Sequence, residues 1–240
     1  MTRLPWAAHR ERALPTVGEA GGSVAADDLT EAVSQALARV VRVLPIVVIA
    51  AVLSAGCSTQ PPQVDHTADL VTRRAEKDAM FREAVDSPVP KTDIGRFVPL
   101  AYYPIDASYR TPAALAPLSD EESPAFEMPT STGQRRQMRR AGKLKFTIHG
   151  QSYTLTAFVS ADDAARQRLF VPFRDLTAGL ETYASGRYLD LDRTPTGLYD
   201  LDFNDAYQPY CYYDAKYDCP IPPQENRLSV PIRAGERMRK

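Results

Sequence analysis

From residue 143 to residue 203, apolar and polar side chains alternate in several short stretches, each of which reads as a half-buried β-strand. Leu144, Phe146 and Ile148 alternate with Lys143, Lys145 and Thr147. Tyr153, Leu155 and Ala157 alternate with Ser152, Thr154 and Thr156, and the run continues through Phe158 and Val159. His149-Gly150 marks the turn between these two stretches. Further on, Leu189 and Leu191 share one face, as do Tyr199, Leu201 and Phe203, while Asp190, Asp192, Asp200 and Asp202 face the other way. Two hairpins are expected. One joins Gln134–Arg140 to Lys143–Ile148 through Ala141-Gly142; the other spans Gly186–Phe203 with its turn at Arg193–Gly197. Leu169–Phe173 reads as an edge strand because proline at 172 has no backbone donor.

Outside these runs the pattern changes. Leu70, Ala75, Met80, Phe81 and Val85 are spaced for an amphipathic helix from about Asp65 to Asp86, stopped by Ser87-Pro88. Ser160 to Asp163 resembles a helix start, and a short helix to Arg168 follows from it. Phe97–Asp106 reads as strand and turn, 109–117 as a looser section, and 119–123 as a solvated acidic loop. The fold class is mainly β: an antiparallel sandwich or partly open barrel with an N-terminal helix, forming a single domain over 66–236 with a tail at 237–240.

The segment before the domain obeys different rules. Val43–Gly56 is an apolar run with Arg39 and Arg42 before it and Leu53-Ser-Ala-Gly-Cys57 at its end. Fourteen helical residues rise only about 21 Å, short of a roughly 30 Å hydrocarbon core. The pattern reads as a secretory signal whose last residues resemble a lipobox, with Cys57 as the lipid attachment site. Residues 1–56 are then leader and signal peptide, residues 57–65 a tether, and the lipid bilayer a partner through Cys57 on the periplasmic or cell-surface side. The alternative is a single membrane-spanning helix with Cys57 buried in it. Residues 1–38 make an unusually long leader, which places the true start at Val40 or Val41.

Composition narrows the chemistry. The net charge is −1 over 240 residues, which gives no sign of a nucleic-acid partner. Cys211 and Cys219, in an exported chain, read as a disulfide closing a short loop, with two buried thiols as the alternative. HExxH, GxSxG, Walker A and GxGxxG patterns are absent from the sequence, and neither a cofactor nor a metal is expected. The oligomeric state is not set by anything in the sequence.

Eight of the twelve tyrosines fall between Tyr183 and Tyr217, among ten acidic residues from Asp175 to Glu225. Rings with polar ends, beside carboxylates, amides and arginines, suit a glycan or another small polar ligand. The candidate ligand-binding residues are Arg174, Asp175, Tyr188, Asp190, Asp192, Asp200, Asp202, Asn204, Tyr207, Tyr210, Glu225, Asn226 and Arg227. In the expected hairpin Asp190 faces Asp200, and like charges opposite one another destabilise a sheet. Open solvent, arginines such as Arg174, Arg187 and Arg227, or a bound cation would offset that repulsion. A carboxylate pair from this set would also suit a hydrolase acting on cell-envelope material. The basic run from Arg135 to Lys145 reads either as the solvated face of a strand or as a contact for anionic headgroups.

Several motifs carry a resemblance. Phe173-Arg-Asp-x-Thr-x-Gly179, Thr182-Tyr-x-x-Gly-Arg-Tyr-Leu189, Asp202-Phe-Asn204, Pro209-Tyr-Cys211, Cys219-Pro-x-Pro-Pro223 and Glu225-Asn-Arg-Leu228 are similar to the domain-of-unknown-function family 1684. Tyr103–Asp106 and Met128–Thr132 resemble its earlier motifs, and the likeness extends over about 75–236. It implies a secreted or cytoplasmic bacterial protein, often a lipoprotein, and assigns no catalytic or ligand-binding residue.

Overall fold

A computed structural model describes residues 65–162 and 168–239. The leader, Cys57 and most of the tether lie outside them, as does most of the short helix expected between Ser160 and Arg168. The N-terminal helix His66–Glu83 is present. Asp65 caps it, its side chain accepting from the amides of Thr67 and Ala68. Leu70 and Phe81 are buried along one face, whereas Val85, past the helix end, is 96% exposed. Ser87 closes the exit, its hydroxyl donating to the Phe81 carbonyl at 2.6 Å.

The strands are β1 Arg110–Pro117, β2 Phe126–Pro129, β3 Arg135–Ile148, β4 Gln151–Ser160, β5 Arg168–Phe173, β6 Arg187–Asp192 and β7 Leu198–Asp202. They form one seven-stranded antiparallel sheet in the order β6-β5-β4-β3-β1-β7, with β2 beside the first part of β3. Tyr188 on β6 exchanges backbone hydrogen bonds with Tyr207, just beyond β7, at 2.9 and 3.0 Å. The two edges of the sheet are thereby joined, and it is nearly closed into a barrel. The inward residues are those given by the alternation: Leu144, Phe146, Leu155, Leu189, Leu201 and Phe203 all belong to the main core. A second core, with Phe81, Phe97, Leu100 and Tyr213, lies beneath the helix.

Both expected hairpins are corrected. Residues 135–148 form one long strand, and the register shift between Arg140 and Gly142 is a β-bulge where a turn was expected. The strand then serves two neighbours along one edge, β2 and β1. The strands β6 and β7 are consecutive but do not pair: β6 lies on β5 and β7 on β1, at opposite edges of the sheet. Asp190 therefore faces Phe170, and Asp200 faces Pro112. That pairing removes the like-charge opposition a hairpin would have created.

Three further expectations change. Residues 97–106 form no strand, apart from an isolated bridge between Tyr102 and Glu236. Prolines at 99 and 104 remove ladder donors, and the apolar side chains pack toward the helix instead. The looser section at 109–117 is β1, whose alternation is weak because small residues and prolines make up its outer face. The strand β5 lies inside the sheet, between β4 and β6. Its proline is tolerated because β4 and β5 pair in register only at Phe158 and Phe170, so the missing donor at 172 faces a gap. Residues 237–239 stay against the domain, with the Arg237 amide donating to Ala101 and the Met238 amide to Glu181.

Candidate functional site

The carboxylates that alternation placed on one face are now distributed over the barrel, each with its own partner. On β7, Asp200 accepts from Arg110 Nε at 2.7 Å. On β6, Asp192 accepts from Arg168 Nη2 at 3.2 Å. Asp202 is buried, with His66 Nε2 at 2.7 Å from one oxygen and the Asn204 amide groups on the other. Asp190 accepts from the Tyr207 hydroxyl at 2.7 Å. Burial raises the pKa of Asp190, the Tyr207 hydrogen bond opposing the shift. Arginine does offset the exposed carboxylates, but through Arg110 and Arg168 in place of Arg174, Arg187 and Arg227. Among the described residues, no cluster of three or more metal-ligating side chains is found.

Arg187 has turned inward. It is 0% exposed and donates to the carbonyls of Ile232 and Glu236 at 2.6 and 3.0 Å, and also to Ala234. Asp175 lies 3.6 Å from the guanidinium and accepts from the Ile232 amide at 2.6 Å. The C-terminal segment is thus strapped across one end of the barrel by a buried charge pair. Burial lowers the pKa of Arg187, and Asp175 opposes that shift. Glu236, also buried, accepts from the Gln208 amide at 2.8 Å and from the Tyr213 hydroxyl at 2.9 Å, and it pairs with Lys77 at 2.5 Å.

Asn226 occupies the gap beside Pro172. Its side-chain oxygen accepts from the Thr156 amide at 2.7 Å, and its nitrogen donates to the carbonyls of Thr156 and Pro172 at 2.8 and 2.7 Å. A primary amide has the donor and acceptor pattern of a peptide group, so this side chain continues the ladder where β4 and β5 separate. The neighbouring Glu225 accepts from Arg140 at 2.9 Å, while Arg174 and Arg227 meet through their backbones. Arg135 and Arg136 in the basic run face Glu127 and Asp218 at 3.4 and 3.5 Å.

The tyrosine and cysteine residues form a packed cluster of their own. Tyr188, Tyr207, Cys211 and Cys219 are buried together, and the Tyr188 hydroxyl donates to the Pro220 carbonyl. The cysteines are present as thiols, with Cys219 Sγ accepting from the Cys211 amide at 3.1 Å. Hydrogen bonding to the Cys219 thiol pulls the Cys211 pKa down to about 7. Tyr210 is half-buried, and its hydroxyl has no hydrogen-bond partner among the described residues. The sequence-derived candidates therefore divide into several structural clusters and do not line one cleft.

An open surface feature lies elsewhere. A shallow surface hollow is lined by Phe97, Leu100, Ala101, Tyr212, Tyr213, Arg237 and Arg239, of which Phe97, Leu100 and Tyr213 are themselves buried. Phe97 and Tyr212 meet edge to face with ring centroids 5.4 Å apart. The Arg96 guanidinium sits 4.9 Å from the Phe97 ring. Burial raises the pKa of Tyr212, opposed by the Arg239 amide, the Gln208 side chain and the charge on Arg96. None of these positions was singled out from the sequence as binding. Arg237 and Arg239 fell in the expected tail, and Phe97 and Leu100 in an expected strand.

With this geometry in view, two comparisons agree. The solution NMR structure of an uncharacterized protein from Haloarcula marismortui is similar, with 36% sequence identity and a TM-score of 0.56. The match covers 71% of this chain and 92% of that one. Among curated proteins there is no match. The family profile described as a protein of unknown function, DUF1684, matches residues 95–237. That span takes in the seven strands and the Arg187–Asp175 pair, and the chain belongs to this family.

Proposed function

We propose that the protein is an exported lipoprotein, tethered through lipid on Cys57, whose β domain binds a polar, glycan-like ligand without transforming it. The observation that carries the binding reading is the shallow hollow where the half-buried Tyr212 ring lies beside the guanidinium groups of Arg237 and Arg239. Rings offer apolar surface to the faces of a sugar, and guanidinium groups offer directional donors to its oxygens. The carboxylates of β6 and β7, by contrast, are engaged by arginine, histidine and tyrosine within the domain. The short apolar run ending at Cys57 supports the tether. The same exported location supports oxidation of Cys211 and Cys219 to a disulfide, since the two thiols are buried in one cluster.

Incubation of the full-length chain with short envelope glycans tests the binding reading. Retention of a glycan, followed by its recovery unchanged, is the expected result. Release of cleavage products, lost on Asp190→Asn or Asp200→Asn, would establish a carboxylate-based hydrolase instead.

A further inference from the structure

We propose that the barrel end carrying the loop 175–182 docks on an anionic lipid surface, with Leu176 and Leu180 as the side chains that enter it. This rests on the tether proposed above, which brings the domain to a membrane. Leu176 is 57% exposed and Leu180 80%, although the loop that carries them is firmly built. Thr177, buried, has its hydroxyl 2.9 Å from the Asp175 carboxylate and from the Thr182 hydroxyl. Its carbonyl accepts from the amides of Leu180, Glu181 and Thr182 at 3.1, 2.9 and 3.1 Å, and the Gly179 amide donates to the Thr182 carbonyl at 2.8 Å. Two leucines are thus held in water at a fixed place.

The neighbouring segment adds charge. Arg174 and Arg227 meet through their backbones, the Arg174 amide donating to the Asn226 carbonyl at 3.0 Å and the Leu228 amide to that of Arg174 at 2.8 Å. Asp175 and Leu228, next in each segment, are buried, which leaves Arg227 exposed and Arg174 half-buried on the side of Leu176. Among the described residues neither guanidinium forms an ion pair or a hydrogen bond. The acids of the loop are compensated: Asp175 lies 3.6 Å from Arg187, and Glu181 pairs with Arg233 at 2.9 Å. Scattered exposed leucines call for no explanation, but two on one bonded loop beside two unpaired arginines form a patch. Apolar side chains with adjacent guanidinium groups suit acyl chains beneath phosphate headgroups.

The chain enters the domain at the same end. β5 finishes at Phe173 beside the start of β6, and β7 finishes at Asp202 beside the start of β1. His66, the first helical residue, lies 2.7 Å from Asp202. The strap joins both sides of this end, with its Ile232 amide on Asp175 and its Glu236 amide on the Ala206 carbonyl. Those four steps span at most about 14 Å, while the eight from Cys57 to Asp65 reach about 28 Å. The tether is long enough for the loop to meet the bilayer surface. The exposed acids Asp65 and Asp106 lie on the β7–β1 side, across the end from β5.

Tryptophan fluorescence of the full chain tests this, with protein from the native host reconstituted in vesicles of brominated phosphatidylcholine, with or without phosphatidylglycerol. Leu180→Trp and, as a control past the helix end, Val85→Trp are each combined with Trp6→Phe, which removes the single native tryptophan. In vesicles containing phosphatidylglycerol, Leu180→Trp should be quenched and Val85→Trp should not. On the Leu180→Trp chain, Arg174→Gln and Arg227→Gln should each lower the ratio of docked to undocked protein about fivefold. Leu176→Asn should lower it by a similar factor, with the melting temperature unchanged because that side chain is exposed. Equal quenching at both positions, or none at Leu180→Trp while the chain floats with the vesicles, would overturn the docking and leave the tether standing; the leucines would then await a protein partner. Quenching that ignores phosphatidylglycerol and both arginine variants would overturn the anionic class. A chain that does not float with the vesicles would remove tether and docking together.

Discussion

Asp190 and Asn226 show how much of this domain depends on single polar groups placed among apolar ones. Asp190 sits under the Tyr207 hydroxyl with its pKa raised by burial, so the folded state favours the protonated acid. The sign follows directly. Its contribution is fully present below the unfolded carboxylate range and is lost as pH rises through the elevated folded value. Asp190→Asn keeps an acceptor for Tyr207 and removes the ionisable oxygen. The variant should melt at or above the parent temperature at pH 7, and the difference should vanish as pH falls below about 4. A variant clearly less stable at pH 7 would show that the charge itself is wanted. Asn226→Ala would leave the Thr156 amide and two carbonyls unpaired in the interior, at a cost of about 3 kcal/mol. Urea denaturation should show that loss in the midpoint. Neither role was legible in the sequence. Asn226 looked like a ligand-binding amide because its partner Thr156 lies 70 positions away, and no local pattern connects them.

At the scale of elements, strand faces were legible and strand neighbours were not. Alternation states which side chains point inward, and Leu144, Leu155, Leu189 and Leu201 obey it. It does not state which edge a strand will join, so two sequence-adjacent strands were read as a hairpin when the sheet places them at opposite edges. The helix was legible from its spacing and its proline stop, although it ends at Glu83, before the expected Asp86. Arg187 was not, since its carbonyl partners at Ile232, Ala234 and Glu236 belong to a segment with no regular pattern. That strap makes its own prediction. Arg187→Met leaves Asp175 buried without its cation and should destabilise by about 3–5 kcal/mol. Hydrogen exchange should quicken first at residues 228–238. Uniform exchange changes across the barrel would mean that the strap is not a separate element. Gly186 belongs to the same end: at φ 104, with a Cβ that would meet the Phe173 carbonyl at 2.4 Å, it admits no side chain. Gly186→Ala should therefore loosen β5 from β6 and lower the melting temperature.

The described domain is a nearly closed barrel whose helix and C-terminal strap are held by long-range polar contacts. If Cys211 and Cys219 are oxidised after export, closing that short loop stabilises the domain by about 2–3 kcal/mol in the chain-entropy account. Reductant should then lower the melting temperature of the natively exported protein, whereas Cys211→Ser should melt at the same temperature with or without reductant. An exported protein whose melting is insensitive to reductant would mean that the thiols remain reduced. The tether is the central claim, because it fixes the compartment in which every proposed ligand must be found. Intact-mass and N-terminal peptide spectrometry of the protein recovered from the native host test it directly. The account predicts a chain beginning at Cys57 with lipid mass on that residue; a chain beginning upstream, with an unmodified Cys57, would contradict it.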